Sequence, residues 1–455
     1  MKIPVAPPDY KAVIKETLDS GESALSFRLF SEIKPVDEKG RYLHWDKLRH
    51  LPSPSGLTNK QWWTGTKVAR TQSYRKLPFF DKKNDPFQFN LTDQIHEEFH
   101  WLDRYASGNI QSAETITNPQ TRDTYLVRSL IEEAINSSQL EGASTTRDVA
   151  KEMIRQDRPP KDTSEQMIMN NYRAMQFIRE QKDDPLTPSV IFELHQILTE
   201  HTMQNAEKSG QFRNEDDDIH VIDDHSQEYL HTPPIASELP ERLQKLCDFA
   251  NSESKAQTGV SFLHPVVRAI TLHFMLAYDH PFYDGNGRTA RALFYWAMAK
   301  QGYWLAEFIS ISEIIKEKPV QYGKAFLYTE TDDNDLTYFL IHQLDVIHKA
   351  IEALHRFLDK KVKAISEAEQ WLDKNDKLRG KLNFRQLALL RHALKHPRFS
   401  YVIEEHQMSH ALSYDVARKD LLKMSDELKL LTKTKQGKRY FFMVPDDLSE
   451  RVGKQ

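Results

Sequence analysis

His280-Pro281-Phe282-Tyr283-Asp284-Gly285-Asn286-Gly287-Arg288-Thr289-Ala290-Arg291 is the stretch on which the reading of this 455-residue chain turns. Apolar residues recur at helical spacing on both sides of it, at Val266, Ile270, Phe274 and Ala277 before and at Ala292, Leu293, Phe294 and Trp296 after. The spacing predicts a helix, a short loop, and a second helix opened by Gly285-Asn286-Gly287. Two glycines flanking an asparagine let backbone N–H groups turn together with no Cβ in the way, and the helix start adds its positive dipole end. Phosphate would sit there. Arg288 and Arg291, three residues apart, project from nearly one face of the new helix, where cations oppose the dipole unless an anion is bound or paired. Asp284 supplies a hard oxygen of the kind Mg²⁺ takes when it bridges a carboxylate and phosphates. His280 is the one residue of the group suited to take a hydroxyl proton near neutral pH. Phe282, between the polar positions, is expected to turn inward and pin the loop. No Gly-x4-Gly-Lys-Ser/Thr run occurs in the chain, so the stretch reads as a nucleotidyl- or phosphoryl-transfer site built without a P-loop lysine.

All eight fixed positions match the Fic signature His-x-Phe-x-Asp/Glu-Gly-Asn-Gly-Arg-x-x-Arg, and on these residues the chain resembles the Fic family. Gly210-Gln211-Phe212-Arg213, a β-hairpin pattern after it and His264-Pro265 are also similar, which extends the likeness over roughly residues 120 to 345. The resemblance implies a mainly α fold, a Fic-type helical core with a small hairpin flap. It implies an enzyme that transfers AMP from Mg·ATP to a Ser, Thr or Tyr hydroxyl of a target protein, or of itself; the single cysteine and the lack of a leader pattern make a cytoplasmic location the expectation. Carried over position by position, His280 is the general base and Asp284 the Mg²⁺ ligand. Gly285, Asn286 and Gly287 form the anion hole beside Phe282, Arg288 holds the phosphate chain, Arg291 holds the γ-phosphate, and Tyr322 lines the adenine pocket. Ile219-His220-Val221-Ile222, the first strand of the hairpin, is the flap that aligns a target segment by strand addition. A homodimer is also compatible with this reading.

Ser137-Ser138-Gln139-Leu140-Glu141-Gly142 matches a second family motif, Ser/Thr-x-x-x-Glu-Gly/Asn, that of an inhibitory helix, here at about 123–142. Its apolar face is Leu130, Ile131, Ala134 and Ile135. A carboxylate at a helix C-terminus opposes the dipole and asks for a cationic partner. By resemblance that partner is Arg291, with Ser137 alongside, and the pairing would deprive the γ-phosphate of its clamp. The resemblance leaves three other readings open: removal of AMP, another donor such as a different nucleotide or phosphocholine, and a DNA-binding regulator with a Fic core as sensor.

Composition bounds the rest. Net charge is −4, from 62 Lys and Arg against 66 Asp and Glu, which excludes a uniform polyanion-binding surface. A single cysteine, Cys247, excludes an internal disulfide or a multi-cysteine metal site and is expected to be a buried small residue. Mean hydropathy is −0.64 and no window is long and apolar enough for a membrane span. The N-terminus carries neither a secretory nor a mitochondrial leader pattern.

Four parts are expected. Residues 1–90, rich in Pro, Gly and Ser, read as an irregular, partly helical region whose Trp62-Trp63 pair packs against the next domain. Residues 91–355 are the Fic domain, 356–377 a helical connector and 378–455 a C-terminal domain. Between Leu378 and Pro445 fourteen Lys or Arg face six Asp or Glu, a local net of +8 that leaves −12 for the rest. Helices at Phe384–Leu394, Val402–His410 and Ser413–Met424, followed by a basic hairpin, resemble a winged helix. That resemblance implies DNA contact through 378–455, with a protein–protein module as the alternative. The acidic runs Glu215–Asp218 and Asp332–Asp335 read as a solvated loop and a helix N-terminus.

Overall fold

A computed structural model describes residues 1–21, 23–107, 119–223, 226–252, 262–374, 376–410, 412–436 and 439–453. The chain forms two compact units: Met1–Gly108 with Ser129–Ile351, and Asn109–Arg128 with Glu352–Gln455.

In the first unit, Pro265–Asp279 and Asn286–Lys300 form an antiparallel helix pair at the centre, nearly all of whose side chains are buried. Thr163–Glu180, Pro188–Thr199 and Leu239–Asn251 pack around them. Pro188 and Pro265 occupy first-turn positions, where the missing N–H costs nothing, and Thr187 and His264 cap their helices by accepting from Val190 N and Val266 N. Pro119–Leu140 is one helix; Ile131, Ala134 and Ile135 bury against Ala150, Met153, Ile168 and Met169. The β-hairpin is shorter than its sequence suggests. Only Val221–Ile222 and Tyr229–His231 pair, antiparallel with a register shift, while Ile219 and His220 lie outside the strand. Asp224 and His225 of its turn lie outside the described residues.

Residues 1 to 90 are more regular than their composition suggests. Tyr10–Asp19, Ser23–Ser31 and Asn59–Thr71 are helices, and Arg75–Phe80 pairs with Pro86–Phe89. Thr58 and Gln61 form a reciprocal capping box, which starts a helix inside the Pro/Ser/Gly-rich run. Trp62 and Trp63 pack with Trp45 and Leu48 of the same segment, in place of the expected docking on a following domain. The polar side of that helix is buried too. Lys67 Nζ lies 2.6 Å from Asp332 Oδ1, Tyr338 donates to Asp332 Oδ2 at 2.8 Å, and Tyr42 and Tyr74 donate to Asp335 Oδ2 at 2.5 and 2.8 Å. Asp335 also accepts from Thr337 N, so the expected helix start at 337 is present. Asp332, however, is held in the interior as the counter-ion of Lys67. In the other acidic run, Asp217 is tied to Lys208. Cys247 is buried, which pushes its thiol up to about 12.

In the second unit, Phe384–Lys395, Ile403–His410 and Tyr414–Leu422 are helices, close to the sequence expectation. Thr432–Gln436 pairs with Arg439–Met443, and Ser400–Val402 adds a third strand on the other side of Arg439–Met443. Leu389, Leu390, Ala417, Leu421, Met424 and Phe442 make its core.

Candidate active site

The end of the Pro265–Asp279 helix turns into the loop through His280, which adopts a left-handed conformation at φ 46°. Its Nδ1 is 3.2 Å from Ala277 O, a group that can only accept, so the ring proton sits on Nδ1 and Nε2 is left as an acceptor. Burial is the main cause that lowers this imidazole to about 4, so the ring is neutral at neutral pH. Arg213 braces the loop from outside: its Nε donates to His280 O at 2.8 Å, its Nη2 to Pro234 O at 2.5 Å, and its backbone N to Pro281 O at 2.9 Å.

Phe282 turns fully inward and stacks on His195, ring centroids 3.8 Å apart. Gly210 N donates to His195 Nδ1 at 2.9 Å, so His195 Nε2 carries the proton and donates to Asp284 O at 2.8 Å. Asn286 closes the loop across four residues, accepting from Phe282 N at 2.9 Å and donating to Phe282 O at 2.8 Å. Gly285 sits at φ 80°, and a Cβ there would press within 2.9 Å of Thr199 Cγ2, so glycine is required on both counts. The outcome is a rigid loop that delivers the free N–H groups of the Asn286–Lys300 helix to one concave spot.

Arg288 is buried, donates from Nη1 to Leu198 O at 2.9 Å, and keeps a buried Nε with no partner. Asp284 spends Oδ1 on Gly285 N at 2.6 Å and leaves Oδ2 on an exposed side chain, 3.5 Å from Arg288. An orphaned guanidinium N–H, bare helix N–H groups and one open carboxylate oxygen form a donor set that suits a polyphosphate carrying a divalent ion. Among the described residues no group of three or more His, Cys, Asp or Glu is arranged to hold a metal unaided. Asp284 could therefore hold Mg²⁺ only together with phosphate oxygens.

The helix Pro119–Leu140 brings Glu141 to the same spot. Arg291 Nη2 donates to Glu141 Oε1 at 2.8 Å and to Ser137 O at 3.1 Å, and Arg291 Nε donates to Ser137 Oγ at 2.9 Å. A Cβ on Gly287 would overlap Glu141 Oε1. The carboxylate thus rests on the first turn of the motif helix, where an anion belongs. Burial pushes the Glu141 carboxyl up, but Arg291 and Arg288 pull harder and hold it below the usual carboxylate value. Tyr322 also lies here. Its hydroxyl is 2.9 Å from His273 Nε2, and burial pushes it up to about 12 against the pull of Arg291. The hairpin residue His220 sits 3.0 Å from Asp218 and 3.2 Å from Thr232 Oγ1, and Ile222 is exposed on the short strand.

Sequence reasoning missed two residues that hold the site together. His195 reads in sequence as one polar residue on an apolar helix, and its signal is only its company, the apolar Ile191, Leu194 and Leu198. Glu133, one turn from the apolar stripe, is fully buried and accepts from Ser310 Oγ at 2.7 Å, Ser312 Oγ at 2.5 Å and Ser312 N at 3.2 Å, anchoring the Glu141 helix.

Residues 185–298 match the Fic/DOC family. Over 120 residues the chain is 34% identical to "Protein adenylyltransferase Fic" of Drosophila willistoni, which covers 26% of this chain and 20% of that protein. Over 123 residues it is 30% identical to the protein of the same name from Nematostella vectensis, 27% and 25% of the two chains. The chain thus spans about a fifth to a quarter of the length of these curated relatives. Among solved structures, a Fic family protein from Desulfovibrio desulfuricans G20 aligns over 78% of this chain and 97% of its own, at 18% identity and a TM-score of 0.48. A Fic domain containing signaling protein from Bacteroides thetaiotaomicron aligns over 59% and 96%, at 21% and 0.45. The complete signature in the 280–291 loop thus lies inside the segment, residues 185–298, that matches the Fic/DOC family, on a mainly helical fold.

Proposed function

We propose that this chain is a cytoplasmic protein adenylyltransferase whose resting state is held down by Glu141. The observation that carries the reading is the Glu141 carboxylate lying on Gly287 and Arg291, so that the chain's own anion sits where a phosphate chain would be clamped. ATP and a hydroxyl side chain of a protein, or of the chain itself, are the substrates. His280 Nε2 takes the hydroxyl proton as that oxygen bonds to the α-phosphorus. The bond from this phosphorus to the bridging oxygen breaks and pyrophosphate leaves. The first-turn N–H groups and Arg288 bind the phosphate oxygens, and Arg291, once free of Glu141, takes the terminal phosphate. Mg²⁺ held by Asp284 and phosphate would neutralise charge on the leaving group. Tyr322, beside Arg291, lines the nucleotide end of the site, and the 219–222 segment aligns the acceptor by pairing with an extended target.

The test is transfer of label from α-labelled and γ-labelled ATP. Glu141→Gly is expected to raise α-label incorporation at least about tenfold, since a charge-assisted hydrogen bond to the clamp is worth roughly 1.5–3 kcal/mol. His280→Ala on that background should remove about 10²–10⁴ of the rate. Incorporation of γ-label, or none from either protein, would overturn the reading.

The C-terminal unit supports a second reading, a winged helix that touches DNA. Its order is helix, strand, two helices and a hairpin, with Arg418, Lys419, Lys435 and Arg439 exposed. Retention of the full chain on duplex DNA should fall steeply with salt, and no retention at low salt would remove this reading.

A further inference from the structure

We propose that a crevice between residues 42–47, the Pro319–Thr331 helix and the start of the Thr337–Lys374 helix binds a small phosphate-bearing ligand, at a site separate from the 280–291 loop. The crevice encloses about 220 Å³, just under the roughly 300–1,000 Å³ of pockets for drug-sized ligands. Lys324 and Tyr328 line it from one face of their helix, four residues apart. Tyr322 of the same helix points instead to His273, on the side of Arg291. The two sites therefore lie on opposite faces of one helix.

Three features call for an anion. Tyr328 is 93% buried, and its hydroxyl has no hydrogen-bond partner. A buried hydroxyl left without a partner forfeits the hydrogen bonds it would make in water. Lys47 and Lys324 both line the crevice, and neither makes an ion pair with a carboxylate among the described residues. Burial and the like charge of Lys324 lower the Lys47 ammonium from its ordinary value against the opposing pull of Asp46, so the fold brings two cations together with no carboxylate in ion-pair contact among the described residues. The carboxylates nearby are already engaged, Asp46 by Val5 N at 3.0 Å and Arg49 at 3.7 Å, Asp332 by Lys67, and Asp335 by Tyr42 and Tyr74. His44 and His342 complete the lining as neutral rings, both lowered to about 4 chiefly by burial. Two ammonium groups and a hydroxyl supply donors to three oxygens of a tetrahedral dianion, whereas a carboxylate has only two. The walls around them are aromatic, which suits a small organic phosphate more than the bare ion.

The test is calorimetric titration of the full chain with inorganic phosphate, phenyl phosphate and acetate. Both phosphates should bind, phenyl phosphate more tightly and acetate more weakly. Lys324→Met should weaken phosphate binding at least about tenfold, equivalent to roughly 1.4 kcal/mol. Tyr328→Phe, which keeps the packing, should weaken it severalfold. Arg291→Ala should leave it unchanged. The proposal falls if neither phosphate binds at about 10 mM, a concentration that still detects contacts weaker than 4 kcal/mol. It falls equally if binding survives Lys324→Met and Tyr328→Phe, or is lost only with Arg291→Ala, which would assign the phosphate to the motif loop. This outcome is independent of AMP transfer, which is read with labelled ATP.

Discussion

Two buried cations of the first unit are neutralised in contrasting ways. Lys67 and Asp332 are 1% and 2% exposed, and Tyr338 and Arg70 fill the space around them. Arg291 is 3% exposed, but its partner Glu141 is 31% exposed and touches the arginine with one oxygen. The first cation has a second carboxylate besides its buried partner, Asp333 at 3.1 Å, whose side chain is exposed, so the chain itself supplies both of its counter-ions. At the second, the proposed function has a phosphate approach along the open side and take the place of the carboxylate. The first is a fastener of the fold and the second an exchangeable contact, although both are ion pairs between residues more than a hundred positions apart.

The largest expected effect comes from breaking the closed pair. Asp332→Ala removes the buried partner of Lys67 and Arg70 and leaves Lys67 only the exposed Asp333 carboxylate at 3.1 Å, and should cost about 3 kcal/mol of stability, read by chemical denaturation. Loss of under about 1 kcal/mol would show that water enters this cluster and that the contrast is false. Glu141→Gly should cost less, at most roughly 1.5–3 kcal/mol, because Ser137 still binds Arg291. Saturating ATP should restore the difference in thermal unfolding. If ATP stabilises wild type and variant equally, the site is not contested by Glu141. The smallest effect is a ratio that stays flat. Glu141 titrates below the ordinary 4.5, so its pairing is complete above that value and is lost only as pH falls through its lowered pKa; His280 stays neutral down to about 4. The ratio of α-label incorporation between Glu141→Gly and wild type should therefore vary by less than about twofold from pH 8 to pH 5. A ratio that collapses toward pH 5 would mean that mild acid releases the pair.

The site was legible in sequence where its chemistry is contiguous. A loop that must present N–H groups, an imidazole and two arginines within twelve residues leaves a local signature, and the turn at Gly285 explains why its spelling is strict. His195 and Arg213 act through backbone carbonyls of that loop, from sites 89 and 67 residues away; the Gly210–Arg213 segment carries a family likeness, but its bracing role, like that of His195, leaves no local signal. The N-terminal segment was misjudged for a related reason. Lys67 on an amphipathic helix looks solvated until Asp332, 265 residues later, is brought against it. Ser400–Val402 was missed because three residues are too few to show alternation.

Glu133 carries one more consequence. With its carboxylate among Ser310 and Ser312, with Glu132 tied to Arg147 and Lys151, and with Ser138 on Met167 O, the last two turns of helix ahead of Glu141 are held in place. Only the last side chain beyond Leu140 is left to yield. In the proposed function, release would then amount to swinging a single glutamate side chain off Arg291, and re-engagement would need no refolding. Such a latch would open and shut without disturbing the helix behind it.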